Sequence, residues 1–336
     1  MTAHEPIQDI AHLGHVELLT PVPDKSLWYF RDVLGMEAVG QEGQSVHLRG
    51  YGDHAHSTLT LTEARRPGLG RISWRAVSQP ALERRADAIS AAGLGEGWRE
   101  GEGGRGRCFR FRDPDGHAME IYYDEAPYHA PEGMRSTLKN LPMKYTGRGV
   151  NVRRIDHLAV LCRDVAANRR FAESVLGFRL HEQVRFDRGK MEVGSWLSPS
   201  IMHHQLAYVV DVKGAAGRLH HFALWVDNRE DVLRAADLLA EHGVFIEAGP
   251  SKHNNSQGFY LYSYEPGGNR IEIYSGSYLV TAPDFQPVIW NEQERGTGVY
   301  WGTPLPDSFL NYATPDVTVS DQAPAGTVKL PAFDPI

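Results

Sequence analysis

Apolar and polar residues alternate along much of the chain and predict a strand-rich protein with few helices. In RIDHLAVLC (154–162) and RLHHFALWV (218–226), apolar side chains recur at every second position, the pattern of a strand with one buried face. Helix signals follow each segment, because Asp164 and Asn228 are favoured N-cap residues and precede apolar positions three and four apart. We therefore expect a short helix after each strand, with Gly243 ending the second helix.

The stretch FYLYSYEPGGNRIEIY (259–274) predicts a β-hairpin. Two alternating segments flank the turn residues EPGGN (265–269), which favour a tight reversal of the chain. If Gly267 lies at the centre, Tyr262 and Glu272 face each other and share one face of the hairpin. The sequence thus places a carboxylate inside an apolar strand, where it needs a partner.

Two long segments repeat and predict a duplicated architecture. Gly35 follows His15 by 20 residues, as Gly177 follows His157, and DPDGHAMEIYYD (113–124) mirrors EPGGNRIEIYSG (265–276). A weaker repeat divides each half again, into modules near residues 10–64, 70–125, 153–211 and 217–277. We expect an α+β fold of two domains, each built from two βαβββ modules.

The expected boundaries follow from this repeat and from the distribution of proline. We place an N-terminal domain at 9–126, a proline-containing linker at 127–151, a second domain at 152–285 and a C-terminal extension at 286–336. The tail from about residue 313 holds several prolines and is expected to be extended or mobile.

Composition excludes several classes of partner. The net charge of −7 and the isoelectric point near 6.1 provide no basic surface for nucleic acid or an anionic membrane. No apolar run approaches the thickness of a bilayer, and the N-terminal residues lack the pattern of a secretory signal. We therefore expect a soluble cytoplasmic protein in which Cys108 and Cys162, both within apolar strands, are free buried thiols.

Three residues in the second half form a candidate metal site. His157 and His221 each lie on an apolar strand face, and either residue alone would be interpreted as a core histidine. Equivalent strands bring them together with Glu272, and two histidines with one carboxylate leave positions open for substrate and oxygen on non-haem Fe(II). Zinc accepts the same ligands. Iron is favoured because further acid/base groups lie on or beside strands of the same half: His204, His253 and Tyr262.

The first half provides an internal comparison. His15 and Glu120 are retained there, but alignment of the two halves places Arg71 where His221 falls. A guanidinium cannot bind a cation. We therefore expect the N-terminal domain to be a metal-free structural copy, with His15 and Glu120 either unused or hydrogen-bonded to each other.

The second half resembles the type I extradiol ring-cleaving dioxygenases of the vicinal oxygen chelate superfamily. Their signature is matched by His253, Leu261-Tyr262, Glu265-Pro266, Gly268 and Glu272. The resemblance covers about residues 10–305 and implies the vicinal oxygen chelate, or glyoxalase-like, fold. It also implies cleavage of a catechol beside a hydroxyl group, with insertion of both atoms of O2 and formation of a 2-hydroxymuconic semialdehyde.

The same resemblance assigns roles to individual residues. It implies that Fe(II), or alternatively Mn(II), is bound by His157, His221 and Glu272. It implies that His204 is the acid/base residue, with His203 a bystander, and that His220 is a second-sphere or surface residue. The residues that would contact the catechol or line its pocket are His253, Tyr262 and Trp196.

The same fold also supports other activities. A glyoxalase-like isomerase or lyase would use a metal and a carboxylate without oxygen, and would not need His204, His253 and Tyr262 together. A metal-free binding protein would need none of the metal ligands. Family members are commonly homo-oligomers, so we expect a homo-oligomer, with a tetramer favoured.

The sequence also bears on which catechol is the substrate. The segment after residue 258 resembles homoprotocatechuate 2,3-dioxygenases, which hold a substrate carboxylate with arginines. Those arginines align here with Ala248, Thr297 and Gly298, which leaves Arg295 and Lys252 as nearby cations. We therefore expect an uncharged substrate: catechol itself or an alkyl- or chlorocatechol.

Overall fold

The computed structural model of the protein describes residues 8–294 and 298–317, which form two mixed β-sheets with helices packed against them. The first sheet has the strand order β2-β3-β4-β1-β5-β8-β7-β6. Its strands are β1 (Ile10–Thr20), β2 (Glu37–Glu42), β3 (Ser45–Arg49), β4 (Leu59–Glu63), β5 (Gly68–Ala76), β6 (Gly95–Arg99), β7 (Cys108–Arg112) and β8 (Ala118–Tyr122).

The second sheet repeats the order of the first and adds one strand at its edge, giving β14-β15-β16-β13-β9-β12-β11-β10-β17. Its strands are β9 (Arg154–Cys162), β10 (Arg179–Phe186), β11 (Met191–Ser198), β12 (Leu206–Val210), β13 (Arg218–Trp225), β14 (Ile246–Lys252), β15 (Gly258–Tyr264), β16 (Arg270–Gly276) and β17 (Val288–Asn291).

Each module contains one helix after its first strand, so the predicted βαβββ order is confirmed four times. These helices are α1 (Pro23–Trp28), α2 (Gln79–Ala91), α3 (Val165–Phe171) and α4 (Arg229–Glu241). π-Helical turns extend α1 over Tyr29–Val33 and α3 over Ala172–Leu176. Asp164 and Asn228 cap α3 and α4 as predicted, accepting hydrogen bonds from the backbone amides of Ala167 and Asp231.

Strand register explains how the centre of each sheet is built. The hairpin β15–β16 pairs Tyr262 directly with Glu272, as the turn residues predict. The central strand β13 is antiparallel to β9 and parallel to β16, and its Ala223 pairs with His157 on one side and Glu272 on the other. Residues from three neighbouring strands thus converge on one face of the second sheet.

The two halves pack against each other through a shared interior. One cluster of buried apolar side chains includes residues of both sheets. Polar contacts join the halves as well: Tyr29 Oη lies 2.7 Å from Ser263 Oγ, and Ser26 Oγ donates to Glu265 Oε2 over 2.5 Å. The metal-site half is therefore supported by the half that precedes it.

The C-terminal segment returns to the second sheet. β17 pairs in parallel with β10, and the short helix α5 (Asp307–Asn311) is followed by a two-way backbone pairing between Thr314 and Leu219. Thr314 is extended where it pairs with Leu219, as expected, but Ala313 and Thr314 are both buried, so these two residues are not mobile. The remainder of that tail, 318–336, lies outside the described residues, and the domain boundaries given above stay a prediction.

Within the described ranges, 8–294 and 298–317, no helix is long and apolar enough to cross a membrane. Cys108 and Cys162 are free and buried, as predicted. Burial raises the pKa of the Cys108 thiol to about 12, with the charge of Glu120 adding to the effect.

Candidate metal centre

His157, His221 and Glu272 form one buried cluster. Because His157 and Glu272 both pair with Ala223, and His221 lies two residues before it, all three side chains point to the same face. Their ligand atoms lie within 4.8 Å of one another. Glu272 Oε2 is 2.9 Å from His157 Nε2 and 3.3 Å from His221 Nε2.

The chemistry of this cluster fits a divalent metal ion. Glu272 Oε2 is buried and has no hydrogen bond of acceptable geometry within the described part of the chain, although both imidazoles approach it closely. Two imidazole nitrogens and one carboxylate oxygen directed at one point match the two-histidine, one-carboxylate set that leaves coordination positions open. A buried carboxylate oxygen without a hydrogen bond is costly, and a metal ion would remove that cost.

The ionisation of the cluster is strongly perturbed. Burial alone would lower the pKa of His157, but its hydrogen bond to Asp156 and the nearby negative charge of Glu272 raise it to about 9. Burial lowers the pKa of His221 to about 4 despite the charge of Glu272. Burial would raise the pKa of Glu272, but the electrostatic attraction of His221, followed by the contacts with His157 and His253, holds it well below its usual value. The carboxylate is therefore ionised and available as a ligand.

Hydrogen bonds outside the cluster orient both imidazoles. His157 Nδ1 lies 2.8 Å from Asp156 Oδ1, and Asp156 is held in turn by Arg154 over 2.7 Å. His220 links His221 to the C-terminal segment, since its Nδ1 lies 2.7 Å from His221 Nδ1 and its Nε2 lies 2.7 Å from the Phe309 carbonyl oxygen. Such outer contacts fix the tautomer and ring orientation of a ligand.

The Phe309 contact determines which nitrogen of His221 is available. A carbonyl oxygen only accepts, so His220 Nε2 carries the proton and the neutral ring accepts at Nδ1. His221 Nδ1 must then donate, which leaves the lone pair on His221 Nε2. That atom is the one 3.3 Å from Glu272 Oε2.

The predicted substrate-binding residues lie on the other side of the Glu272 carboxylate. His253 Nε2 is 3.1 Å from the Tyr262 hydroxyl and 3.3 Å from Glu272 Oε1. The Gly298 carbonyl oxygen lies 2.6 Å from His253 Nδ1, and the ring stacks on Tyr260 with centroids 3.9 Å apart. Burial, together with the charge of Glu272, holds the pKa of Tyr262 well above its usual value, so its hydroxyl keeps its proton.

The predicted acid/base residue contacts the same cluster. The ring centroid of His204 lies 4.0 Å from that of His157. Burial, reinforced by the charge of His157, holds the pKa of His204 well below its usual value. A small cavity of about 40 Å³ adjoins His204 and is also lined by Met202, Trp225 and Tyr274. A neutral imidazole is thus held beside the candidate metal site.

Six of the seven predicted site residues form one cluster. His157, His221 and His253 contact Glu272, Tyr262 pairs with it across the hairpin, and His204 lies against His157. Trp196 lies on β11, paired with Glu182 of β10 and Ala207 of β12, and packs against the hydrophobic core. Its assignment as a pocket aromatic stays a prediction.

Comparison with known proteins identifies the family. The model of the Glyoxalase/Bleomycin resistance protein/Dioxygenase superfamily matches residues 12–121 and 154–273, which correspond to the two sheets. A metapyrocatechase of Geobacillus stearothermophilus is 44% identical over 318 residues, covering 94% of this chain and 96% of that protein. The chain belongs to this superfamily and, within it, to the type I extradiol dioxygenases.

Other relatives agree with this placement. A manganese-dependent 2,3-dihydroxybiphenyl 1,2-dioxygenase of Geobacillus genomosp. 3 is 41% identical over 300 residues, covering 88% of this chain and 95% of that protein. The anaerobic substrate complex of homoprotocatechuate 2,3-dioxygenase from Brevibacterium fuscum, with 3,4-dihydroxyphenylacetate, superposes with a TM-score of 0.81. Its sequence is 26% identical to this one, and the superposition covers 93% of this chain and 95% of the other chain. The predicted vicinal oxygen chelate fold is confirmed.

Two features of this extradiol dioxygenase were not predicted from its sequence. His203, expected to be a bystander, joins His204 to the buried carboxylate of Glu182. The C-terminal helix α5 also contacts the site, since the Phe309 ring lies 4.9 Å from that of Tyr262 and 4.6 Å from that of His220. The only sequence signal for the first feature is the pair of adjacent histidines at 203 and 204.

Proposed function

We propose that this chain catalyses extradiol cleavage of an uncharged catechol, inserting both atoms of O2 to give a 2-hydroxymuconic semialdehyde-type product. The observation that carries the proposal is the convergence of His157, His221 and Glu272 on one point, where Glu272 Oε2 has no hydrogen bond of acceptable geometry from the described residues. Close similarity to proteins named metapyrocatechase and dihydroxybiphenyl dioxygenase supports the same reaction.

The three ligands would hold Fe(II), with Mn(II) as the alternative suggested by the manganese-dependent relative. Held there, such an ion would supply a Lewis acid with positions open for a bidentate substrate and oxygen, and a path for electrons between them. Asp156 and His220 would keep the two imidazoles oriented toward the ion.

The surrounding side chains supply the proton chemistry. Tyr262 and His253 lie close enough to the carboxylate ligand to hydrogen-bond the catechol oxygens and favour loss of a proton from one of them. The neutral imidazole of His204 would accept a proton from the substrate and return it to the oxygen that leaves when the O–O bond breaks. All three residues are at least largely buried, which limits access of water to the reacting groups.

We further propose that only the half that carries the three metal ligands is catalytic. Residues 9–126 would be a metal-free structural domain and residues 152–285 the catalytic domain, joined by 127–151 and followed by the extension 286–336. In the first half, three guanidinium groups lie 3.3 to 3.6 Å from the Glu120 carboxylate, those of Arg71, Arg105 and Arg110. These cations take the place that further metal ligands would need.

Oxygen uptake and product colour provide the decisive test. Protein loaded anaerobically with Fe(II) and then given catechol in air should form a yellow ring-fission product and consume one O2 per catechol. With ¹⁸O2, mass spectrometry should find both labelled atoms in the product before exchange with water. A parallel sample loaded with Mn(II) identifies the preferred metal, and Glu272→Ala serves as the inactive control.

A result without oxygen uptake would overturn this assignment. A glyoxalase-like isomerase or lyase would convert its substrate anaerobically and leave catechol unchanged in air. The wild-type protein, metal-loaded and tested with both metals, would then show no yellow product.

We also propose a homo-oligomer, with a tetramer favoured, in the cytoplasm. The proposed assembly is inferred from family members, which are commonly homo-oligomers, and is tested by sedimentation velocity. The compartment is supported by the free, buried state of both cysteines, which suits a reducing environment.

A further inference from the structure

A chain of buried hydrogen bonds leads from Glu182 to the proposed acid/base residue. His203 Nε2 lies 3.0 Å from Glu182 Oε1, and His203 Nδ1 lies 2.8 Å from His204 Nδ1. All three side chains are buried, with Glu182 and His203 each 2% exposed and His204 6% exposed. These hydrogen bonds reach His204 at Nδ1, on the side of the ring away from Nε2.

Glu182 is held as an ionised acceptor by donors from separate parts of the chain. Besides His203, it accepts from the Tyr278 hydroxyl over 2.6 Å, the Ser256 amide over 3.1 Å and Trp290 Nε1 over 2.7 Å. Burial alone would raise the pKa of Glu182, but these hydrogen bonds, that from His203 first, hold it below its usual value. Four donors also fix the direction of the carboxylate.

The hydrogen-bonding capacity of each group determines where the protons lie. An ionised carboxylate only accepts, so the proton between Glu182 and His203 belongs to His203 Nε2. With its single N–H at Nε2, the His203 ring accepts at Nδ1. The 2.8 Å contact between the two Nδ1 atoms requires one proton, which must come from His204 Nδ1.

We propose that Glu182 and His203 are positioning residues that fix His204 in the tautomer with its proton on Nδ1 and its lone pair on Nε2. This inference rests on the proposed function, because it explains why His204 would be ready to accept a proton from a catechol hydroxyl. Neither Glu182 nor His203 is assigned contact with the substrate.

The second pair of adjacent histidines supports the same reasoning. There the acceptor-only group is the Phe309 carbonyl oxygen, and the same deduction leaves the lone pair on His221 Nε2. That nitrogen is the atom of His221 that faces Glu272 in the metal cluster. Each functional histidine is therefore oriented by its neighbour in sequence, and each neighbour is fixed by an oxygen that only accepts.

Two substitutions of His203 separate this role from simple packing. The amide of asparagine lies near the position of a histidine Nδ1, so His203→Asn keeps an acceptor for His204. The amide of glutamine lies near the position of Nε2, so His203→Gln keeps a donor for Glu182 but leaves His204 Nδ1 without its acceptor. Both variants remove one buried imidazole.

The expected result is a difference between these variants in kcat alone. His203→Gln should lower kcat by roughly 10- to 100-fold, the range typical of lost outer-sphere partners, with KM for catechol and the bound metal unchanged. His203→Asn should keep kcat within about threefold of wild type. His117→Asn, which removes a buried histidine–carboxylate pair in the first half, is the matched control and should keep kcat and KM.

A second measurement is independent of turnover. In metal-free protein labelled with ¹⁵N-histidine, the His204 signals, identified by their loss in His204→Asn, should show Nδ1 protonated and Nε2 unprotonated. In His203→Gln the two tautomers should both be populated. Because this test needs neither metal nor catechol, it can fail while the dioxygenase assignment stands, and it can succeed if that assignment fails.

Three outcomes would overturn the proposal. These are a proton on Nε2 of His204 in the wild-type spectrum, equal kcat losses in His203→Asn and His203→Gln, and a kcat loss in His203→Gln that follows loss of bound metal. The last two would make His203 a packing residue.

Discussion

Arg71 occupies in the first sheet the register position that His221 occupies in the second. Each lies two residues before the strand position that pairs with both a histidine and a glutamate. Those positions are Ser73, paired with His15 and Glu120, and Ala223, paired with His157 and Glu272. The Arg71 guanidinium lies 3.6 Å from the Glu120 carboxylate, so the first half neutralises its buried acid with cations of its own.

The first prediction is that one metal ion binds per chain, in the second half. His157→Ala or Glu272→Ala should lose the metal and keep the fold, because each removes one of three ligands. His15→Ala is the matched control: its imidazole hydrogen-bonds Thr60 over 2.8 Å, so metal binding should be unaffected. Elemental analysis with far-UV circular dichroism checks this, and two equivalents of metal in wild type, or full occupancy in either ligand variant, would contradict it.

The second prediction concerns His204. His204→Asn should bind metal and catechol but turn over more slowly, by roughly the 10²- to 10⁴-fold typical of a lost general acid or base. Asparagine preserves hydrogen bonding to His203 but cannot take up a proton. Steady-state kinetics at equal metal content measures the effect, and an unchanged kcat would remove His204 from the mechanism.

A third prediction uses a buried histidine–carboxylate pair outside the metal cluster. Burial would lower the pKa of His117, but Asp113, 2.7 Å away, raises it above its ordinary value. A raised pKa in the folded protein means that the pair stabilises fully below the unfolded pKa near 6.5, and less as the pH rises through the folded value. His117→Asn should therefore cost about 1–3 kcal/mol at pH 6 and clearly less at pH 9.

Denaturant unfolding of wild type and His117→Asn at both pH values measures this difference. A destabilisation that is constant, or that grows with pH, would show that the pair is not ionised in the folded protein.

Regular strands were predictable because alternation fixes which side chains share a face. The pairing of Tyr262 with Glu272 and the equivalence of Arg71 and His221 both follow from counting residues along such strands. The candidate ligands could be named for the same reason, since every second residue of a strand points to the same side.

Irregular backbone explains what was not predicted. His203 and His204 lie in a non-strand segment, where alternation does not apply and neighbouring side chains contact each other. At His220 and His221 a register shift between Leu219 and His221 interrupts the pairing of β13 with β9 and allows the same contact.

The roles of Glu182 and Phe309 were not predictable for a different reason. Each depends on a partner distant in sequence: Trp290 of β17 donates to Glu182, and the Phe309 carbonyl reaches His220 only when α5 packs against the sheet. The composition of the extension gives no indication of either contact.

The final prediction is that an uncharged catechol has a higher kcat/KM than one bearing a carboxylate. Of the three positions that align with carboxylate-binding arginines, Ala248 and Gly298 offer no charge; Thr297 and the nearby Arg295 lie outside the described residues. Lys252 is directed elsewhere, since its ammonium group lies 5.3 Å from the Phe259 ring centroid and 5.7 Å from that of Tyr300.

The environment of Ala248 favours an apolar substituent. Ala248 is 8% exposed and belongs to a cluster of buried side chains with Tyr260 and Tyr262, against which Leu305 and Phe309 pack. A carboxylate placed there would lose its hydration without gaining a guanidinium partner, at a cost of several kcal/mol. An alkyl group or a chlorine atom would instead remain in apolar surroundings.

A steady-state series with catechol, 3-methylcatechol, 4-methylcatechol and 3,4-dihydroxyphenylacetate tests this prediction at saturating oxygen and equal metal content. We expect the three uncharged compounds to have the higher kcat/KM, with the carboxylated compound weakened mainly through KM. Ala248→Arg would restore a guanidinium at the aligned position and should narrow the difference, whereas Ala248→Leu, the matched apolar control, should not. A clear wild-type preference for 3,4-dihydroxyphenylacetate would refute the prediction and direct attention to Arg295→Ala and Lys252→Ala as tests for its anchor.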